Sequence, residues 1–301
     1  MASSNAIKIL VINPNTTHSM TASLQPPIDA LLSHHKNVSC DFFTAPPIST
    51  PSSNNAPDTL ALASGAIPSI NSPADANASA TYCFPFLRSK IPEYDAFLVA
   101  CYSEHPLVQM LVEEVQNQDR NAGIASSKKF VIGIFEASVI TSLGMLAQFP
   151  SSPSSDEDPA SQCVPSFGIV STGKIWEEAL SSAVHTFLGT RSSILSDSNP
   201  VELKRFAGVE TTGLTATELH DLPADEIRSK MSDAAARLVL SDARKKVRVI
   251  CLGCAGMTRL EGAVREGVVR ALGDEEAREV MIVDGVLAGV NWLIGVCRMR
   301  I

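Results

Sequence analysis

The chain has 301 residues, enough for one large or two modest domains, and 45% of them are hydrophobic while only 5% are aromatic. Such a core is aliphatic, of the kind that fills buried parallel sheets, which excludes disordered, collagen-like and disulfide mini-protein classes. The formal net charge is −8 with no dense Lys/Arg tract, so nucleic acid is excluded as a partner.

The N-terminus, MASSNAIKILVINPN, carries a short strand-like run without a secretory apolar region, and no stretch of about 18 uncharged apolar residues follows anywhere. The expectation is a soluble cytoplasmic protein with no membrane partner. The seven cysteines, Cys40, Cys83, Cys101, Cys163, Cys251, Cys254 and Cys297, are odd in number and scattered, the pattern of reduced thiols.

Runs of aliphatic and β-branched residues at 7–12, 38–43, 96–101, 130–135, 167–171, 205–210, 247–252 and 279–284 read as eight buried strands. Stretches of helical period lie between most of them. Leu107, Leu111 and Val115 share one face, and Ile227, Met231 and Leu238 share another with Ala234 and Ala235 between them. The second helix has Pro223, Asp225 and Glu226 at its start and Arg244, Lys245 and Lys246 beyond its end, as the helix dipole favours. This alternation predicts an α/β fold with parallel strands. Residues 45–57 and 150–165, rich in Pro, Ser and Asn, read as inserted surface loops. The strands divide into two sets of four, which suggests a pseudo-twofold with the strand-end turns of both halves facing one crevice.

Open α/β sheets bind ligands beyond the carboxyl ends of their strands, and the residues there are mostly small hydroxyls and glycines. They run Asn13-Pro14-Asn15-Thr16-Thr17, Cys101-Tyr102-Ser103-Glu104-His105, Glu136-Ala137-Ser138, Ser171-Thr172-Gly173, Glu210-Thr211-Thr212-Gly213, Gly253-Cys254-Ala255-Gly256-Met257 and Asp284-Gly285. A thiol at a strand end, followed by a turn and a helix, sits near unpaired amides and is expected to ionise below its free value of about 8.5. Two such thiols across one crevice would remove a proton from one face of a carbon acid and return it from the other. Cys251, inside an apolar run, reads as a buried small hydrophobe. Gly253 and Gly256 bracket Cys254 and free the backbone to approach a ligand. The Cys251/Cys254 spacing also fits a redox or zinc pair, but no second C-x-x-C exists and no helix start follows the first cysteine. Glu136 is a candidate to orient a ligand or tune a thiol. His105 reads as a capping or rim residue, and Tyr102 as a ring either beside the first thiol or on the strand side.

Five of these segments in order, namely 13–17, Ala100 to Pro106, Gly133 to Ser138, Gly208 to Leu214 and Leu252 to Met257, resemble the hydantoin/allantoin racemases of the aspartate/glutamate racemase superfamily. The resemblance runs from Ile7 to about Val290. It implies two similar Rossmann-like halves, each a mainly parallel four-stranded sheet flanked by helices, with the active site between them. It also implies an isomerase needing no metal, cofactor or nucleotide, with Cys101 and Cys254 as the catalytic pair. Substrate oxygens would be held around Asn15, Thr16, Ser103, Ser138, Thr172, Thr212, Ala255 and Gly256. Residues 6–115 plus 276–301 are expected to form the first half, the final segment from 279 returning to it, and 116–275 the second. The expected partner is a small molecule, a hydantoin or related cyclic ureide, with a homo-oligomer left open. Alternatives on the same scaffold are an arylmalonate decarboxylase-like lyase, a maleate isomerase-like enzyme, or an inactive binding homologue.

Overall fold

The computed structural model describes residues 6–47, 66–124, 128–149, 163–189 and 205–299. Most of the two expected loops, 48–57 and 150–162, lies outside these residues. Val164 and Pro165, expected in the second loop, instead open a strand.

The first unit comprises residues up to 137 and from 286 onward. Its elements are β1 (Ile7–Asn13), α1 (His18–Leu32), β2 (Val38–Thr44), α2 (Pro73–Arg88), β3 (Ala96–Val99), α3 (Pro106–Asn121) and β4 (Phe130–Gly133). The four strands are all parallel in the order β2-β1-β3-β4. On one face Leu10, Ile12, Phe97 and Val99 bury against α2 and against Leu107, Leu111 and Val115 of α3, the stripe expected from sequence. The helices start where local chemistry directs: Ser72 accepts the Asp75 amide at 3.1 Å ahead of Pro73, and His105 accepts the Leu107 amide at 3.3 Å ahead of Pro106.

A helix α4 (Ile134–Leu146) follows β4 with no intervening loop, and the unit boundary falls within its first turn. The sequence run 130–135 therefore overstates the strand, because Ile134 and Phe135 already belong to the helix. Apolar residues continue across that junction, so hydropathy carries no mark of it.

The second unit, 138–285, contains β5 (Val164–Ser171), α5 (Ile175–Phe187), β6 (Phe206–Thr211), α6 (Glu218–Asp221), α7 (Ala224–Leu240), β7 (Lys245–Gly253), α8 (Glu261–Leu272), α9 (Asp274–Ala277) and β8 (Met281–Asp284). Its sheet is also all parallel, in the order β6-β5-β7-β8. The predicted Ile227 helix is α7, with Ile227, Met231, Ala234, Ala235 and Leu238 buried. α7 and α8 pack so closely that a side chain at Gly267 would collide with the Ser232 carbonyl. A last helix, α10 (Gly285–Met299), follows β8 directly and lays Gly289 against Leu98 in the first unit.

The observed division differs from the expected one. Residues 116–137 belong to the first unit because β4 pairs with β3, and 276–285 to the second because β8 pairs with β7. The segment that returns to the first unit begins at Val286 rather than at 279.

Candidate active site

In each unit the chemistry-bearing residues follow the carboxyl ends of the strands. In the first, Ile12, Val99 and Gly133 are ladder partners; in the second, Val170, Leu252 and Asp284 are. Cys101 is two residues past Val99 and Cys254 two residues past Leu252. The two thiols thus occupy the same place in two sheets of the same strand order.

The turn after β1 is built by asparagine side chains. Asn13 Nδ2 lies within hydrogen-bond distance of Asn15 Oδ1, the Thr17 carbonyl and Thr21 Oγ1, and Asn13 Oδ1 accepts the Asn15 amide at 3.1 Å. Asn15 Oδ1 also accepts the Thr17 amide at 2.9 Å, so its side chain is spent on the turn. The Thr16 amide goes to the Ile67 carbonyl. Cys83 Sγ donates to the Pro14 carbonyl at 3.4 Å and holds the same turn from α2.

After β3 the Ala100 amide extends the ladder to the Ile12 carbonyl, and the chain then turns through Cys101, Tyr102 and Ser103. Cys101 Sγ lies 3.6 Å from Ser103 Oγ and is partly exposed. Tyr102 is buried edge-on against Phe135, their centroids 5.7 Å apart, so its ring belongs to the interior of the unit. His105 is also buried, with Nε2 3.1 Å from Ser79 Oγ. Since Nδ1 accepts the Leu107 amide, the network assigns the ring proton to Nε2. Burial lowers the His105 pKa to about 3, so the ring stays neutral and works as a helix cap. Glu136, in the first turn of α4, folds back over Gly133, where any side chain would collide with the carboxylate. Burial pushes its pKa up to about 7, against the opposing pull of the Glu136 and Gly133 amides, and Glu104 raises it further.

In the second unit, the β5 and β6 ladder continues past the strands: the Thr212 amide donates to the Ser171 carbonyl and the Gly213 amide to the Thr172 carbonyl. Gly213 sits at φ +78°, a conformation glycine adopts without strain. Thr212 Oγ1 accepts the Leu214 amide at 3.2 Å, and Thr172 is buried at the strand end. Thr211 Oγ1 donates to Glu177 at 2.6 Å, while Arg237 binds both Glu210 and the Thr211 carbonyl. These anchors went unrecognised in the sequence because they join positions 34 and 26 residues apart.

Cys254 opens a single 3-10 turn, Ala255–Met257, rather than a long helix. Its thiol is pushed up to about 11 by burial, and the hydrogen bond from the Gly256 amide offsets this only in part. The expectation of a depressed pKa therefore fails here, because desolvation outweighs one amide and a short turn. Gly253 serves packing rather than ligand approach: a Cβ there would lie 2.8 Å from the Val170 carbonyl oxygen. Cys251 is wholly buried with Ser142 Oγ 3.0 Å from its sulfur, and Ser138, in α4, supplies the carbonyl that Ser142 Oγ donates to at 2.8 Å. Among the described residues no group of three His, Cys, Asp or Glu is placed to hold a metal ion. No helix among them is long and apolar enough to cross a membrane.

The Asp/Glu/Hydantoin racemase family model matches residues 9–293. The chain is 29% identical over 295 residues to an uncharacterized Schizosaccharomyces pombe protein, C1F7.10, covering 98% of this chain and 94% of that one. Among solved structures, an allantoin racemase from Pseudomonas fluorescens aligns with a TM-score of 0.60 at 20% identity, covering 97% of this chain and 92% of that one. One from Klebsiella pneumoniae aligns at 0.59 and 19%, covering 97% and 88%. At those identities the structural likeness speaks for the fold, and it matches the two parallel four-stranded sheets described above. The match of the family model along nearly the whole chain settles membership: this protein belongs to the Asp/Glu/hydantoin racemase family and is an isomerase of that kind.

Proposed function

We propose that this protein is a racemase of 5-substituted hydantoins or allantoin that needs no cofactor, with Cys101 and Cys254 transferring protons at opposite faces of C5. The carrying observation is the equivalence of the two thiols, each two residues past the same rung of its sheet. A carbon acid that must be deprotonated on one face and reprotonated on the other needs two such groups and nothing that changes oxidation state. The reading requires both strand ends to reach one substrate.

In this mechanism one sulfur enters as thiolate and the other as thiol. The thiolate takes the C5 proton, the electron pair moves onto the adjacent carbonyl oxygen, and the second thiol returns a proton to the far face. The enzyme is left with the roles exchanged and no net proton gained or lost. A thiol with a pKa near 11 is a weak resting acid, but its conjugate base is strong, which suits a weakly acidic C–H. The hydroxyls of Thr16 and Thr172 and the Ala255 amide are assigned to the developing oxyanion. Asn15, Ser138, Thr212 and Gly256 act from within their units, holding turns, the wall behind Cys251 and the Cys254 sulfur.

The test is polarimetry of the purified protein with enantiopure allantoin and, separately, an enantiopure 5-alkyl hydantoin, against a protein-free control. The rotation is expected to decay to zero, and either Cys101→Ser or Cys254→Ser to slow it by roughly a hundredfold to ten-thousandfold. Full activity in either variant contradicts the two-thiol mechanism. A new product in place of the mirror image contradicts racemisation.

A further inference from the structure

We infer that Ser103 is a positioning residue that tunes the Cys101 thiol, rather than a ligand for substrate. A buried hydroxyl needs a hydrogen-bond partner, and the other hydroxyls at these strand ends show how such needs are met. Ser171 Oγ donates to the Gly253 carbonyl, Thr211 Oγ1 to Glu177, and Thr212 Oγ1 accepts the Leu214 amide. Ser103 is 4% exposed, yet among the described residues its hydroxyl has one partner, the Cys101 sulfur at 3.6 Å. It takes no part in starting α3, because His105 caps that helix.

The second unit supports the same conclusion from the other side. Cys254 also receives a donor from two residues downstream, there the Gly256 backbone amide. With the two cysteines at equivalent rungs, Ser103 and Gly256 hold equivalent positions: the Ser103 hydroxyl lies 3.6 Å from the Cys101 sulfur, able to donate or accept, and the Gly256 amide donates to the Cys254 sulfur. In the first unit a side chain does what the backbone does in the second. A hydroxyl turned toward sulfur stabilises the thiolate when the proton leaves, and it rotates to accept when the proton returns.

The effect on turnover rests on the racemase reading, whereas the effect on the thiol does not. The experiment is therefore peptide-resolved alkylation of Cys101 by iodoacetamide as a function of pH, in the unmodified protein and in Ser103→Ala, beside racemisation rates over the same range. Ser103→Ala is expected to raise the Cys101 pKa by about one unit, and to lower racemisation about tenfold near neutrality with recovery at alkaline pH. Ser103→Thr, which keeps the hydroxyl, is expected to restore both. Ser103→Gly provides a second deletion with the same expected direction should the alanine variant not fold. A shifted alkylation profile in a protein without racemase activity supports the tuning role and overturns the racemase reading alone. An unshifted Cys101 profile, whether or not activity falls, overturns the inference, and a fall in activity at all pH values then identifies Ser103 as a substrate contact.

Discussion

At the scale of single residues, burial decides more than proximity to helix ends. Cys254 has an amide donor and a turn beside it, yet desolvation dominates and its pKa rises to about 11. The rate consequence concerns the monoprotonated pair of thiols. kcat/KM is expected to rise with pH as the first thiol ionises and to show no descending limb until pH approaches the Cys254 value. Both enantiomers must follow one profile, because the equilibrium constant of a racemisation is one. Blank-corrected initial rates from each enantiomer check this, and a fall in rate near neutrality contradicts it. His105 shows the same dominance of burial in a structural role. Its pKa falls from 6.5 unfolded to about 3 folded, so the unfolded chain binds the proton first as pH drops. Stability is therefore full above 6.5 and is lost as pH falls toward 3, with a slope approaching 1.4 kcal/mol per pH unit, on the order expected for one group. Denaturant titrations of His105→Asn, which keeps a capping side chain, are expected to show that slope reduced. An unchanged slope contradicts the assignment.

At the scale of elements, all eight strands were legible because buried parallel strands write themselves as aliphatic runs, and α7 was legible because it carries period, start signals and end charges together. The joints were not. β4 passes into α4 through Gly133-Ile134-Phe135 without a polar residue, so neither the strand end nor the helical setting of Glu136 was visible. Pro165 marked a loop by its type but sits near the start of β5, where proline is tolerated. Gly253 was read as backbone freed for a ligand, whereas it is the contact that lets β7 approach β5 directly before Cys254. Gly253→Ala is accordingly expected to cost about 1–3 kcal/mol in denaturant unfolding and to lower activity by displacing Cys254. A variant with unaltered stability and rate contradicts that role.

At the scale of the whole molecule, the sequence suggested two related halves through the division of its strands into two sets of four, and the ladders supply what composition could not: a common strand order and a common rung from which to count each thiol. The unit boundaries lie inside α4 and at the start of α10, where two helices carry the chain from one unit to the other. Boundaries inside helices leave no Gly/Pro-rich linker to read, which is why the expected division at 115 and 275 misassigned β4 and β8. The cysteine pair, by contrast, stood out in the sequence, because thiols at strand ends are few and small residues surround them. The central claim is that the two thiols work on opposite faces of one carbon, and the most direct test is the reaction in D₂O from a single enantiomer of a 5-alkyl hydantoin, with the two enantiomers separated by chiral chromatography and the deuterium at C5 of each read by mass spectrometry. The account predicts that at early conversion the product enantiomer carries deuterium at C5 while the remaining substrate keeps its proton, above the protein-free background. Deuterium entering substrate and product at equal rates from the start would mean that a single base serves both faces, and would contradict it.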